Sequence, residues 1–351
     1  MSITANDSIG GRANSVQLTI VIPAFNTAKF LARCVSSVTS PENSNNLEII
    51  IIDDGSTDDT VDVADEMGEI FSNVRVLHQS NAGLGSARNV GLDEAIGEYV
   101  WFIDSDDYIS KGVIAEIIEA LSRNRPDVFV VDFSCADENG QNIVWIPCPF
   151  APVHGKLMTG AEFFRRYYET TYVWLYILRR DLINQHGLRF QPRINMQDAE
   201  LLPKIMAVTD QVLVSGIQAY VYVKRSDSYI NNPDLGVRAR YFSSVVEVRR
   251  RLIEFLYKLE EPMIMEGVNS KLNAINKILL LAYLYDPIDK KALSERLELL
   301  RNDGAYPFKR IRGGNLKIEL LRFATNLYPT SFPRVYRGIR ECFRSSQRSV
   351  T

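Results

Sequence analysis

Three carboxylates lie within four residues at the end of an apolar segment. The apolar run Tyr99–Ile103 is followed directly by Asp104, Asp106 and Asp107. Carboxylates repel one another and are costly to remove from water, so this cluster needs a compensating cation if it ends a buried strand. Oxygen ligands of this kind suit Mg²⁺ or Mn²⁺, which usually bind one or two carboxylates together with substrate phosphates. A solvated acidic turn that caps the next helix is the alternative interpretation.

Polar residues also follow two earlier apolar runs. The loop after the first run consists of Pro23, Ala24, Phe25 and Asn26. Its small residue and its aromatic ring suit a flat nucleobase, although a plain strand-to-helix turn would have a similar composition. Asp53 ends the second run and could accept a hydrogen bond from the imide N–H of a pyrimidine. Asp54 begins a turn that could instead lead into a helix cap.

These residues require a sheet that brings the ends of several strands together. Residues 18–134 alternate between β-branched runs and helical patterns, and the predicted strands are 18–23, 47–52, 73–77, 99–103 and 127–131. Strands that are apolar on both faces and alternate with helices indicate a mainly parallel sheet covered on both sides, so the predicted fold class is α/β. In such sheets ligands bind beyond the carboxyl ends of the strands.

The pattern predicts three parts along the chain of 351 residues. Residues 1–15 are polar and are expected to form a disordered leader. Residues 16–235 are expected to form the α/β domain, with a nucleotide-binding half at 16–134 and an acceptor half at 135–235. A turn-rich break then leads into a helical C-terminal region at 236–351.

Charge is distributed unevenly between these parts. The net charge is −3, but residues 301–351 hold eleven Lys and Arg against three Asp and Glu, which leaves +8 there and −11 on residues 1–300. Apolar side chains alternate with these cations, so the basic tail could lie on an anionic membrane surface. A solvated helical tail packed on its own domain is the alternative. No nucleic-acid partner is expected, because nothing resembles a base-reading module.

Four sequence blocks together resemble the family 2 glycosyltransferases, which have the GT-A fold. The blocks are Val21–Asn26, Ile51–Asp58, Asn81–Gly91 and Gly97–Asp107, and they occur in the order and spacing of the family. The third block contains Gly83-Leu-Gly85 but has Arg88 where a dinucleotide-binding GxGxxG motif needs its third glycine. A dinucleotide-binding motif is therefore not predicted at this position.

The resemblance implies a role for each candidate residue. Asp104 and Asp106 match the DxD motif, which implies a divalent cation, Mn²⁺ or Mg²⁺, that bridges the diphosphate of the donor. Asp198 falls on the position of the general base, and Gln197 replaces the acid that commonly precedes it. Trp174 matches an aromatic position near the acceptor, and Gln197 is also expected to contact the acceptor. The nucleotide-binding residues implied are Pro23, Ala24, Phe25, Asn26, Asp53, Asp54, Gly83, Arg88, Asp104 and Ser105.

The implied activity is inverting, non-processive transfer of a hexosyl or N-acetylhexosaminyl group from a nucleotide-sugar, expected to be a UDP-sugar. The acceptor would be a glycan or a lipid-linked saccharide in surface polysaccharide synthesis. The expected location is cytoplasmic, and peripheral at the inner face of the membrane if the tail binds lipid. One alternative is a non-catalytic pseudo-transferase that binds a nucleotide-sugar or a glycan. A sugar nucleotidyltransferase is another, although its Gly-rich phosphate loop with a lysine is missing after the first strand.

Overall fold

The structure is a computed structural model that describes residues 16–39, 45–144, 147–225 and 234–338. Its first half is a parallel sheet with the strand order β3-β2-β1-β4. The strands are β1 (Leu18–Ala24), β2 (Leu47–Asp53), β3 (Val74–His78) and β4 (Tyr99–Phe102). Every residue of β1, β2 and β4 is buried, as expected of strands that helices cover on both faces. The connecting helices are α1 (Ala28–Val38), α2 (Thr60–Ile70) and α3 (Leu84–Glu94).

Beyond β4 the sheet becomes mixed. Its remaining main strands, in chain order, are β5 (Tyr108–Ile109), β6 (Val128–Ala136), β9 (Tyr176–Arg179) and β10 (Val212–Val223), with short pairs at β7 (Asn142–Ile143) and β8 (Leu157–Met158). Strand β9 runs antiparallel to both β4 and β6, whereas β10 is parallel to β6. The pairing of β10 with β6 has a register shift between Val214 and Gln218.

Helices cover the sheet and continue beyond it. Helices α4 (Val113–Asn124), α5 (Gly160–Tyr167), α6 (Arg180–Gln185) and α7 (Gln197–Ala207) belong to the α/β part. They are followed by α8 (Leu235–Leu256), α9 (Pro262–Tyr285), α10 (Lys290–Asn302) and α11 (Leu316–Leu327). The prediction of an α/β fold with a mainly parallel sheet and a C-terminal helical region is confirmed.

The C-terminal helices pack on the α/β part through α9. Gly267 lets α9 approach α5 closely, since a Cβ at this position would lie 2.7 Å from the Phe164 ring. One hydrophobic core extends from Leu18 in β1 to Leu321 in α11. The domain boundary at residue 235 and the two halves within residues 16–235 stay predictions. The predicted leader at 1–15 lies outside the described residues. Across the four described ranges, no helix is long and apolar enough to cross a bilayer.

Candidate active site

Three adjacent parallel strands bring the predicted polar residues to one edge of the sheet. Strand β1 lies between β2 and β4, and Ala24 at the end of β1 is in register with Asp53 at the end of β2. Phe25, in the loop after β1, is 45% exposed. The amide oxygen of Asn26 accepts a hydrogen bond from the N–H of Thr57 at 2.8 Å, which joins the loops after β1 and β2. The edge therefore presents an exposed aromatic ring beside a buried carboxylate.

Asp53 is buried but has polar partners on both oxygens. Its Oδ1 accepts from the N–H of Ser56 at 3.1 Å, and its Oδ2 lies 3.3 Å from Nδ1 of His78. The other ring nitrogen of His78 lies 3.0 Å from Asp65. Burial lowers the pKa of His78, but these two carboxylates outweigh burial and raise the pKa above its usual value. Asp65 lies in α2, thirteen residues before His78, so no local sequence pattern pairs these two side chains.

Asp54 fixes the glycine-rich loop that leads into α3. Its carboxylate accepts from the N–H groups of Ala82 and Gly83, both at 2.8 Å, and from the Gln79 side chain at 2.6 Å. Gly83 has a φ of +90°, a conformation that L side chains rarely adopt. Asp54 is thus engaged entirely by protein groups, and it holds the loop in place.

Arg88 connects the acidic cluster to the start of α7. It is 3% exposed, and its guanidinium donates to Asp104 at 2.6 Å. With the Gln197 amide oxygen turned towards Arg88, a second N–H of Arg88 donates to it at 2.8 Å. In that orientation the NH₂ group of Gln197 donates to the carbonyl of Ile194 at 2.7 Å. The residue that departs from the family pattern therefore fits its place as a neutral partner of Arg88.

The three clustered carboxylates have different partners. Asp106 forms an ion pair with Arg225 at 2.9 Å, and 34% of its side chain is exposed. Asp107 is buried and accepts from the hydroxyl of Tyr220 at 2.5 Å and the N–H of Val223 at 2.7 Å. Burial and the neighbouring Asp106 and Asp104 raise the pKa of Asp107 well above its usual value. Ser105, between them, is buried.

These contacts define which residues fit a divalent cation. Both oxygens of Asp107 are used inside the protein, so Asp104 and Asp106 are the candidates, each with part of its side chain exposed. Within the described part of the chain, no group of three or more His, Cys, Asp or Glu side chains could hold a metal. Two carboxylates still suit Mg²⁺ or Mn²⁺ when substrate phosphates supply further oxygens.

Asp198 lies in the first turn of α7, next to Gln197. It is partly exposed, and its Oδ1 accepts from the N–H of Ala199 at 2.8 Å. Burial raises the pKa of Asp198, and the neighbouring Asp104 raises it further. This pKa is lowered by Arg88, by the hydrogen bond from the Ala199 N–H and by Lys271. A buried arginine and a buried lysine therefore both favour the ionised form of this carboxylate.

The backbone around the site is strained at three non-glycine positions. Asn26, Arg193 and Met196 have φ values of 52°, 58° and 58°. Residues with side chains rarely adopt this left-handed conformation, and such strain concentrates at functional sites. Met196 immediately precedes α7, so its conformation sets where the first turn of that helix places Gln197 and Asp198.

Trp174 lies in a stack of aromatic rings. Its ring is stacked on Tyr220 at 4.3 Å and on Tyr172 at 5.3 Å between centroids. Trp174 is 6% exposed, whereas Tyr172 is 41% exposed. Asp198 contributes to a raised pKa of the Tyr172 hydroxyl, after burial. The exposed ring of this stack is thus Tyr172, which sequence analysis did not identify.

Comparison with known proteins identifies the family. The model of the glycosyl transferase family 2 matches residues 19–189. The uncharacterized glycosyltransferase EpsJ of Bacillus subtilis is 26% identical over 223 residues, which are 62% of this chain and 63% of EpsJ. The match thus spans less than two thirds of that relative.

Two solved structures share the fold. The Staphylococcus aureus TarS fragment 1–349 in complex with UDP-GlcNAc has a TM-score of 0.55 at 18% identity, over 94% of this chain and 92% of the fragment. The mannosyltransferase PcManGT from Pyrobaculum calidifontis, in complex with GDP-Man and Mn²⁺, has a TM-score of 0.52 at 16% identity, over 93% of this chain and 84% of that one. The fold is therefore GT-A. Residues 19–189, which hold the four sequence blocks and the nucleotide side of the candidate site, match glycosyl transferase family 2.

Proposed function

We propose that this protein is an inverting glycosyltransferase that moves a hexosyl or N-acetylhexosaminyl group from a UDP-sugar to a glycan or lipid-linked acceptor in surface polysaccharide synthesis. Its family supports the reaction class. TarS, which shares its fold, was solved with UDP-GlcNAc bound. The observation that carries the proposal is the bridge made by Arg88, which joins Asp104 on the nucleotide side to Gln197, next to Asp198.

The donor would lie at the ends of β1, β2 and β4. Phe25 offers an exposed ring for the uracil, and Asp53 offers a carboxylate for its imide N–H. Positively charged groups are available for the diphosphate, because Arg88 and Arg225 both reach this edge through Asp104 and Asp106. Arginine suits phosphate because its fork of N–H donors matches two oxygens at once.

A divalent cation would be held by Asp104 and Asp106. Such an ion neutralises charge on a diphosphate leaving group, which is otherwise a poor one. PcManGT, of the same fold, was solved with Mn²⁺ and GDP-Man. Asp107 holds the Asp104–Asp107 turn against β10, which keeps the backbone of the two exposed carboxylates in place.

Asp198 would act as the general base. Inversion requires that the acceptor hydroxyl attack the anomeric carbon from the face opposite the leaving diphosphate, and a carboxylate suits removal of the hydroxyl proton. Arg88 and Lys271 favour the ionised carboxylate against the effect of burial. The exposed ring of Tyr172 could pack on a face of the acceptor sugar.

A panel of nucleotide-sugars with Mn²⁺ or Mg²⁺, measured by release of the nucleoside diphosphate, tests the proposal. Wild-type protein is expected to release UDP from one UDP-sugar, and Asp106→Ala to reduce release about a hundredfold or more, because the leaving group loses charge stabilisation. Asp181→Ala, in which a 73% exposed carboxylate is removed, is the matched control.

Three outcomes contradict the proposal. Tight binding of a UDP-sugar without turnover, with an acceptor panel present, indicates a pseudo-transferase. Release of pyrophosphate from a nucleoside triphosphate and a sugar phosphate indicates a nucleotidyltransferase. Equal turnover with EDTA and with Mn²⁺ contradicts the proposed metal dependence and leaves the proposed transfer reaction standing.

A further inference from the structure

Helix α11 has apolar side chains on two opposite faces. The inner face packs against the core through Leu321, and Thr325 is also buried there. The opposite face exposes four large apolar side chains with exposed fractions of 76, 60, 59 and 56%: Leu316, Leu320, Phe323 and Leu327. Spacings of four, three and four residues place them on one strip, about 150° around the helix from the inner face. We call these four residues the outer strip.

The outer strip is larger than folding requires. A helix on the surface of a globular protein usually has one apolar face, which it buries. Two further large apolar residues after α11, Tyr328 and Val335, are 61% and 60% exposed. A contiguous apolar patch of this kind marks a surface that contacts a partner or a membrane.

Exposed cations flank the outer strip along the chain. The exposed basic residues in this part of the structure are Arg301, Lys309, Arg310, Arg312, Lys317 and Arg334. The acids within residues 301–338 are Asp303, whose side chain is buried and pairs with Arg249, and Glu319. Glu319 is half-buried, pairs with Arg322 at 2.9 Å and accepts from the N–H of Ile311 at 3.0 Å. Both acids of this segment are therefore engaged within the protein, whereas its six basic residues named above are exposed.

We propose that the outer strip and its flanking cations dock the protein on an anionic lipid bilayer, with α11 lying in the plane of the interface. Leucine and phenylalanine on one side of a helix with lysine and arginine around them is the composition of interfacial helices. Each cation near an anionic leaflet adds to binding, and residues 301–351 have a net charge of +8.

Charge favours a bilayer over two other partners, a second copy of the chain and a nucleic acid. A second copy of the chain would bring another +8 segment against the first, which is repulsive at the same face. A nucleic acid would satisfy the cations but would leave the outer strip in water, because binding to phosphates rests on charge. The bilayer is the partner that accommodates both parts of the surface. This inference is independent of the proposed catalytic function.

Co-sedimentation of the full chain with vesicles tests the docking surface. Vesicles of phosphatidylcholine alone are compared with vesicles that also contain phosphatidylglycerol. Wild-type protein is expected to sediment with the anionic vesicles only. The double variant Leu320→Ser, Phe323→Ser is expected to partition about tenfold or more weakly, because two apolar side chains no longer enter the interface. The double variant Lys309→Glu, Arg310→Glu is expected to show a comparable loss.

Matched control variants change the same types of residue outside the proposed docking surface. Ile70→Ser with Ile96→Ser changes two apolar residues that are 57% and 59% exposed outside the strip, and Lys258→Glu with Lys290→Glu reverses two exposed cations. Both should bind vesicles like wild type, and all variants should melt like wild type, since the changed side chains are exposed.

Any of three results overturns the proposal. One is unchanged sedimentation of Leu320→Ser, Phe323→Ser. Another is a concentration-dependent dimer that the strip variant abolishes while no vesicles bind. The third is DNA binding that the charge variant abolishes and the strip variant leaves intact, again without vesicle binding.

Discussion

At the scale of single residues, the candidate site is organised by two buried cations. Arg88 contacts Asp104 and Gln197, and Lys271 enters from α9 with its ammonium donating to the Thr171 hydroxyl at 2.6 Å. Burial lowers the pKa of Lys271 to about 8, although Asp198 and Glu169 act to raise it. A buried ammonium is costly, so its position near a candidate catalytic carboxylate suggests a positioning role.

Replacement of the proposed base should separate chemistry from donor binding. Asp198→Asn keeps the size of the side chain but cannot take a proton, so transfer should fall about a hundredfold or more while the donor Kd stays within about twofold. Steady-state transfer and calorimetric donor titration measure the two quantities. Asp210→Asn changes an exposed aspartate and is the control. Undiminished turnover in Asp198→Asn would exclude this residue as the base.

Replacement of Lys271 should change the pH dependence of transfer. Lys271 favours the ionised form of Asp198, so Lys271→Met should raise the pKa of that carboxyl further and move the acidic limb of kcat/KM to higher pH. Arg88 and Asp104, the charged groups that act on the pKa of Asp198 from other elements, are unchanged in this variant. Lys271→Arg keeps the charge and should keep the limb near its wild-type position. An acidic limb that does not move in Lys271→Met would contradict the role.

At the scale of elements, α3 has to approach the 188–193 loop closely for Arg88 to reach α7. Asn89 donates to the carbonyl of Phe190 at 2.8 Å and accepts from its N–H at 2.9 Å. Gly85, one turn earlier, leaves room for the backbone, since a Cβ there would lie 2.4 Å from the carbonyl oxygen of Gln191. The first turn of α3 therefore depends on a missing side chain.

A methyl group at this contact should be destabilising. Alanine is usually preferred to glycine inside a helix by about 1 kcal/mol, but Gly85→Ala should lower the free energy of unfolding by about 1–3 kcal/mol because backbone must move. Gly338→Ala, where a Cβ would have nothing within 4 Å, is the control. Urea denaturation measures both. A Gly85→Ala protein as stable as wild type would show that the loop adapts without cost.

At the scale of the whole molecule, the C-terminal helices are part of the structure that supports the site. Lys271 comes from α9, and α9 is held by α8 and α10. Arg249 in α8 donates to Asn276 in α9 at 2.9 Å, and its ion pair with Asp303 lies after α10. Both side chains of that pair are buried. A deletion that starts at residue 301 would therefore disturb the core as well as the tail.

Loss of one partner of this buried pair should destabilise the whole chain. Asp303→Ala leaves the Arg249 charge buried, so the free energy of unfolding should fall by about 3 kcal/mol. The double variant Arg249→Met, Asp303→Leu removes both charges and should recover most of the loss. Thermal and urea unfolding measure this. Equal destabilisation in the double variant would show that packing, and not the unpaired charge, is responsible.

The sequence by itself determined the parallel half of the sheet and the residues at its strand ends. Runs such as Leu18–Pro23, apolar on both faces, suit only a strand covered on both sides, and such strands end where polar turn residues begin. Those signals are local, so the positions of Asp53 and Asp104 at one edge followed directly. The family resemblance also followed from local blocks, and comparison with the family model confirmed it.

Only the tertiary structure decided which side chains meet. Lys271 reaches Thr171, Arg225 pairs with Asp106, and Trp174 is covered while Tyr172 is exposed. The first two pairs are 100 and 119 residues apart in the sequence, and Trp174 and Tyr172 differ only in how one turn is packed. Their contacts depend on the path of whole helices and on the antiparallel insertion of β9, which no local pattern encodes. The physical reason is that residue type and spacing specify an element and its buried face, whereas long-range packing selects the neighbour of that face.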